Sequence, residues 1–407
     1  MGVKAPGGTD VEALWTFLCN GRAATRPHHD EALPPEVPML TTQVEGYDAG
    51  AYVTGAERRR LDRCHLLAIG AAQDAIDQAI GANGLQLPPP PRRAVVCGTG
   101  FGATATYESQ HAAFLDGGLR RLSPLAIPSV MPNASAAQLA MRFEAQGPCH
   151  TVSTACASGA TALGEATELL RRDAADVVLA GGVDAMVTTN ALASFLRLDA
   201  MSRNVDAPAL ASRPFDVDRD GFVLGEGAAF LVLERLADAR AAGHQVLGCV
   251  LGHGSSCDAH HLVAPPEDGD GARRAMLAAL ADAGVNPADV NHVNAHGTST
   301  VRNDAAEAAA LRAVFGGVCG DRGSPPVTAT KGATGHLIGA SGALEAIVTL
   351  WSLRHGSVPP ISGLRHPDPA LAVDVVLDPP RSIGPGVGLS NAFGFGGSNA
   401  CLILAGP

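Results

Sequence analysis

The sequence predicts a layered α/β fold with a largely buried sheet, and three observations carry that prediction. Glycine clusters fall at the ends of strand-like runs, in "VVCGTGFGA", "DVVLAGGVDA" and "FGFGGSNA". Between these runs lie Ala/Leu-rich helical stretches such as Ala157–Arg172 and Gly271–Ala283, and short apolar strands alternating with helices put helices on the faces of a sheet. The third observation is an internal echo. "VSTACASGATALGEA" (152–166) resembles "VTATKGATGHLIGASGALEA" (327–346): a β-branched stretch, a small-residue turn, then an Ala/Gly helix. Two related halves, 1–243 and 244–407, would bring their turns to one central site.

Each element follows from local chemistry. Pro88–Pro91 supplies no backbone donor to a helix or sheet, so it marks a surface linker ahead of the strand Ala94–Cys97. Cys149–Thr154 reads as a strand that turns directly into the helix from Ala157 onward. The boundary between halves falls near Gly243, before the strand-like "QVLGCVLGHG". Beyond the helix Gly271–Ala283 come an apolar strand at Val290–Val293, the turn "NAHGTST" and a second strand-to-helix turn, "KGATGH".

Composition narrows the function. With 46% hydrophobic and 17% charged residues in 407, the chain can bury a sizeable core. A net charge of −11 argues against nucleic-acid binding, so an acidic partner would have to meet a local arginine patch. Nine cysteines without a CxxC pair fit reduced thiols better than a disulfide framework. No uninterrupted apolar window of about 18 residues predicts a membrane span, and Met1–Gly8 holds no apolar signal region. The expectation is a cytoplasmic chain. Of its two lysines, Lys4 and Lys331, the interior one calls for an explanation.

Cys156 admits two readings from its position: a small buried hydrophobe, or a thiolate whose pKa falls at a helix N-terminus. Two histidines bear on the choice. His296 follows an apolar strand and precedes Gly297, and His336 sits five residues beyond Lys331, both in Gly-rich turns like the one carrying the cysteine. A nucleophile and two imidazoles on convergent turns form a catalytic constellation. "CDAHH" (257–261) with Cys249 has no closed zinc spacing, so no metal site is expected there.

On these residues the chain resembles the β-ketoacyl-acyl carrier protein synthases of the thiolase superfamily, in particular the elongating synthase II type and the ketosynthase subunits of type II polyketide synthases. The stretches that carry it are "VSTACASGATALGEA", "ASRPFDVDRDGFVLGEGAAFLVLE", "VNAHGTSTVRNDAAEAAAL", "TKGATGHLIGASGALEA" and "SNAFGFGGSNA". The resemblance implies a thiolase-like five-layered α-β-α-β-α fold of two similar halves. It implies decarboxylative Claisen elongation of an acyl thioester with malonyl-acyl carrier protein, and no cofactor beyond the carrier's phosphopantetheine. The implied partners are the acyl carrier protein and a second subunit, either an identical chain or a homologous chain-length factor.

The same resemblance implies roles residue by residue. Cys156 is the acylated nucleophile, and His296 and His336 donate hydrogen bonds to the malonyl thioester carbonyl. Lys331 orients His336 with Glu307 as its ionic partner, and Glu307 and Asp304 support the site. The N–H groups of Cys156 and Phe395 form the oxyanion hole, and Phe395 also gates the acyl channel beside a second mobile loop, Asp258–Gly269. Thr298 and Thr300 hold the pantetheine arm. Tyr107, Phe195 and Phe393 line the acyl pocket, and Arg120 and Arg121 dock the carrier.

Three departures stand out. Met1 falls inside the match to the family's opening turn, so either residues upstream of it that form the first strand are missing or that strand is lost. Tyr107 replaces a smaller aliphatic residue near the tunnel's end, and Ala126 replaces a bulky residue expected to reach across the dimer. Two other functions compete. A non-catalytic chain-length-setting subunit characteristically lacks the cysteine, so Cys156 weighs against it; a degradative thiolase needs a second active cysteine, for which "FGFGG" offers no match.

Overall fold

The computed structural model describes residues 1–33, 39–322 and 324–407. One sheet is built from β1 (Gly2–Lys4), β2 (Arg26–Pro27), β3 (Leu40–Thr42), β4 (Arg93–Gly98), β5 (Cys149–Val152), β6 (Val177–Ala185) and β7 (Leu224–Glu234). A second holds β8 (Cys249–Cys257), β9 (Val290–Asn294) and β10 (Val327–Thr328), and, after a small two-stranded sheet of β11 (Ser357–Val358) and β12 (Arg381–Ser382), β13 (Val387–Gly394) and β14 (Ser398–Ala405). The two sheets repeat one plan. β5-β4-β6-β7-β1 in the first matches β10-β9-β13-β14-β8 in the second. The first two pairings are parallel and the last two antiparallel in both.

The buried strands send alternate residues to opposite faces, and each face meets helices. Val178 and Ala180 of β6, with Ala94 and Val96 of β4, pack inward on the helices Ser158–Arg171 and Ser341–His355. Leu179, Val183, Val95 and Cys97 face outward to Arg63–Asp77 and Ala134–Arg142. In β14, Leu402 and Leu404 join the central layer, while Cys401 and Ile403 face Asp270–Ala283 and Val301–Cys319. The order is helix, sheet, helix, sheet, helix: the five-layered fold.

The internal echo has a packing cause. A Cβ at Gly159 would lie 2.7 Å from the Gly339 carbonyl, and one at Gly342 would lie 2.7 Å from the Ala160 nitrogen. The central helices therefore approach backbone to backbone, and only small residues fit at their N-terminal ends. Element bounds differ from expectation by a residue or two: the strand from Cys149 ends at Val152, and the helix begins at Ser158. Of the two alternatives for the start of the chain, loss of the first strand is corrected. Gly2–Lys4 lies within "MGVKAPGG" and pairs with Phe230–Ala228 of β7.

Candidate active site

The turn between β5 and its helix presents Cys156. Ala155 takes φ 50°, and Ser158 pins the bend: its hydroxyl donates to the Ala155 carbonyl at 2.6 Å and accepts the Thr154 N–H at 2.9 Å. The thiol is buried, and burial pushes its pKa up to about 11 against the opposing pull of Lys331 and of the Phe395 and Cys156 N–H groups. The depression expected at a helix N-terminus is thus outweighed by desolvation. Those two N–H groups converge on Sγ, beside which an acyl carbonyl oxygen would sit.

His296 and His336 lie with their ring centroids 5.5 Å apart, nearly perpendicular. Burial, reinforced by the Lys331 charge, holds both well below the ordinary imidazole range, so both are neutral at pH 7. Their hydrogen bonds select one tautomer. The Lys331 ammonium lies 3.2 Å from His296 Nδ1, and the Ile338 N–H donates to His336 Nδ1 at 3.2 Å. Ammonium and amide only donate, so each Nδ1 accepts and each Nε2 carries the proton. The pair is a two-donor site for developing negative charge.

Behind the imidazoles, Lys331 donates to the His296 carbonyl at 2.6 Å and to Glu345 Oε1 at 2.5 Å. This corrects two expectations. Lys331 orients His296 rather than His336, whose Nδ1 lies 3.0 Å from Ser341 Oγ, and its ionic partner is Glu345 rather than Glu307. Glu307 accepts the N–H groups of His296 and Gly297 at 2.9 and 2.8 Å and the Asn391 amide at 3.0 Å, which fixes the turn from behind. Burial raises both Glu307 and Glu345 to about 7. Asp304 accepts the Phe215 N–H at 2.9 Å and Asn303 Nδ2 at 3.1 Å, a step further out.

Cys156, His296 and His336 open on a cavity of about 630 Å³, lined also by Phe195, Phe222, Ile338, Phe393 and Phe395, with Thr298 and Thr300. The two threonine hydroxyls lie 2.9 Å apart. Phe195 meets Phe222 edge-on at 5.4 Å and Phe393 packs on His296 at 5.6 Å, so both expected pocket aromatics lie beside the chemistry. Phe395 is exposed, between glycines. A Cβ at Gly394 would come 2.6 Å from the Thr154 carbonyl, and Gly396 takes φ 79°. The Gly396 N–H donates to Leu262 O at 2.7 Å, and Asp258 and Gly397 share a backbone bond of 2.9 Å, so the two expected gating loops are tied together.

Three expected site residues lie elsewhere. Tyr107 does not line this cavity; it is 64% exposed on Thr104–Gly117, a helix with no buried residue. In the single chain the ring therefore stands outside the pocket that the resemblance implied for it, on a helix held to the body at Thr106, whose N–H and hydroxyl Asp62 accepts at 2.8 and 2.7 Å. Arg120 and Arg121 are exposed at Gly118–Arg121, with Arg121 3.3 Å from Asp116. Sequence reasoning missed Glu345, Ser341, Ser158 and Asp184. Glu345 lay inside the quoted "TKGATGHLIGASGALEA", and Asp184, a lone acid ending a buried apolar strand, was itself a signal.

Two family models match the chain: "Beta-ketoacyl synthase, N-terminal domain" over residues 1–239 and "Beta-ketoacyl synthase, C-terminal domain" over residues 247–365. The 3-oxoacyl-[acyl-carrier-protein] synthase 2 of Synechocystis sp. is 38% identical over 404 residues, covering 99% of this chain and 95% of that protein. Its counterpart in Staphylococcus aureus is 36% identical over 407 residues, covering 99% and 96%. Among solved structures, a beta-ketoacyl synthase from Burkholderia phymatum superposes with a TM-score of 0.91 at 31% identity, covering 100% of this chain and 98% of that one. The ishigamide ketosynthase/chain length factor gives 0.89 at 32%, covering 100% and 97%.

Proposed function

The chain belongs to the beta-ketoacyl synthase family, and from that premise we propose that it elongates carrier-bound acyl chains by decarboxylative Claisen condensation. The observation that carries this reading is the cavity itself: one thiol faced by two backbone donors and two imidazoles that both present Nε2–H. Such a site serves two steps in turn. Cys156 Sγ attacks the acyl thioester, the carbonyl oxygen collects its charge at the Cys156 and Phe395 N–H groups, and the carrier leaves as a thiol with the cysteine's proton. Malonyl thioester then loses CO₂, and the electron pair of the broken C–C bond passes to the carbonyl oxygen as an enolate. His296 and His336 donate to that oxygen, a contribution of about 2.7–4 kcal/mol per donor in comparable sites. The enolate carbon attacks the acyl carbon and expels Cys156 as thiolate. Lys331 acts by aiming His296, Glu307 and Asp304 by fixing the turns, and Thr298 and Thr300 by hydrogen-bonding the pantetheine arm.

The acyl carrier protein is the proposed substrate donor, docking at Arg120 and Arg121, and the boundary between halves is placed at Gly243. The second subunit, an identical chain or a homologous chain-length factor, is proposed on the face formed by Thr104–Gly117 and the segment after it. There Leu115, Leu119, Ile127 and Tyr107 are each at least 64% exposed, and β5 is the sheet's edge strand. Incubation with acyl-carrier protein should add one acyl group at Cys156, and adding malonyl-carrier protein should release CO₂ with the extended β-ketoacyl product. Acylation that persists in Cys156→Ala would refute the reading.

A further inference from the structure

The Asp184 carboxylate sits where the two halves meet. It is the penultimate residue of β6, with no exposed surface, and five donors converge on it. Thr99 Oγ1 donates at 2.8 Å, and the N–H groups of Gly100, Phe101 and Gly102 at 2.7, 3.2 and 3.3 Å. These belong to the turn leaving β4. The fifth donor, the Gly339 N–H at 2.8 Å, comes from the other half, three residues after His336. The fit leaves no space: a Cβ on Gly339 would stand 2.6 Å from Asp184 Oδ2 and 2.7 Å from the Gly100 nitrogen.

Between His336 and Gly339 lies Ile338, with φ 50°, a left-handed backbone that a β-branched residue holds only when its surroundings impose it. This conformation places the Ile338 N–H on His336 Nδ1 at 3.2 Å. The other group at that nitrogen, Ser341 Oγ at 3.0 Å, can donate or accept, so it cannot select the tautomer by itself. The His336 backbone is held separately, its N–H on Val223 O at 2.7 Å and its carbonyl on the Gly225 N–H at 2.9 Å.

We propose that Asp184 is a positioning residue for the decarboxylation step, clamping Gly339 so that strained Ile338 holds the His336 ring with Nε2–H toward the malonyl thioester. The proposal rests on the function proposed above. Asp184 touches no reacting atom, and the oxyanion hole for Cys156 acylation, built from the Cys156 and Phe395 N–H groups, lies outside its hydrogen bonds. Its loss should therefore divide the two half-reactions.

Asp184→Asn replaces one acceptor oxygen with an amide that cannot accept. Acylation of Cys156 is followed by mass spectrometry, and CO₂ release from malonyl-carrier protein is measured on pre-acylated enzyme. Release should fall tenfold to about a hundredfold, the scale of a 1 Å misplacement at a reacting group, while acylation changes by less than about threefold. In an Ile338→Gly background, where glycine adopts φ 50° without strain, adding Asp184→Asn should cost less than about threefold further. If Asp184→Asn does not fold, Gly339→Ala, which leaves the carboxylate and wedges the contact, carries the same expectation. An equal fall in both half-reactions, or an undiminished loss in the Ile338→Gly background, overturns the proposal. Wild-type enzyme that is never acylated at Cys156 would instead defeat the proposed function, and this inference with it.

Discussion

Replacing Lys331 with Met keeps the length of the side chain and removes its charge and all three donor contacts: His296 Nδ1, His296 O and Glu345 Oε1. Two losses follow, and they differ in pH dependence. Lys331 is the one hydrogen-bond partner of the Glu345 carboxylate among the described residues, with Oε2 already unpaired. Breaking a buried pair from one side costs about 3–5 kcal/mol when the remaining charge has no escape. Glu345 has one. Its pKa is already raised to about 7 by burial, and without the cation it rises further. A carboxyl whose folded pKa lies above its unfolded value of 4.5 gives stability that is full below 4.5 and declines as pH rises through the folded pKa. In Lys331→Met that decline extends beyond pH 7, so the gap to wild type should be smallest below pH 6 and widen by about 1.4 kcal/mol per pH unit above 7. Urea unfolding at pH 6 and 8.5 measures it. The second loss is catalytic. His296 Nδ1 no longer has an obligate donor, and CO₂ release should fall about 10²–10³-fold, as for one misaligned oxyanion donor. Lys331→Met/Glu345→Gln should recover stability above pH 7 and leave CO₂ release depressed. If the double variant regains CO₂ release, Lys331 works through Glu345 rather than by aiming His296.

With the Cys156 thiol pushed up to about 11, its alkylation by iodoacetamide should rise about tenfold per pH unit from 7 to 10; a plateau below pH 8.5 would show a thiolate stabilised at neutral pH. Arg120→Glu with Arg121→Glu should raise KM for acyl-carrier protein severalfold and leave a pantetheine thioester little changed, because both side chains stand outside the cavity; equal effects on both substrates would remove them from docking. Ile127→Asp, at a position 69% exposed in the single chain, should weaken dimerisation in sedimentation velocity at micromolar protein; an unchanged association would place the second subunit on another face. Tyr107→Ala, on the same face, should lower dimer affinity without altering the chain length accepted, and a shifted length profile would return Tyr107 to the acyl pocket.

The layered fold was legible because its causes are local. Alternating strands and helices, glycine at strand ends and two small-residue helix starts are sequence patterns, and Gly159 and Gly342 turn the echo into a contact between the central helices. Cys156, His296 and His336 were legible for the same reason: each occupies a turn whose neighbours announce it. The partner of Lys331 was not. Glu307 and Glu345 are both buried acids on helices of the second half, and only the packing of Ser341–His355 in the central layer decides that Glu345 reaches the ammonium while Glu307 turns to the His296 and Gly297 amides. Tyr107 was no more legible, since a position on a motif does not say which neighbour covers it: in the single chain its ring is exposed outside the cavity.

The acidity of Cys156 shows where such reading stops. A helix end favours a thiolate by about 0.3–1 kcal/mol at an exposed site, and that was the term visible in the sequence. The shift from 9.0 to about 11 corresponds to about 3 kcal/mol in the opposite direction, with desolvation as its largest cause. Burial comes from the apolar cluster that holds Cys156, with Met186, Leu192, Phe222 and Leu224 from the first half, Ile338 from the second and Phe195 packed against it. The same closure that makes the resting thiol weakly acidic keeps His296 and His336 neutral, and neutrality leaves each Nδ1 an acceptor for its donor while the two Nε2–H groups donate without a pair of repelling cations in the site. One apolar enclosure therefore sets the protonation of nucleophile and donors together, and opening it, for instance with Phe222→Ala, should lower the thiol's pKa and raise both imidazoles' toward 6.5 at once.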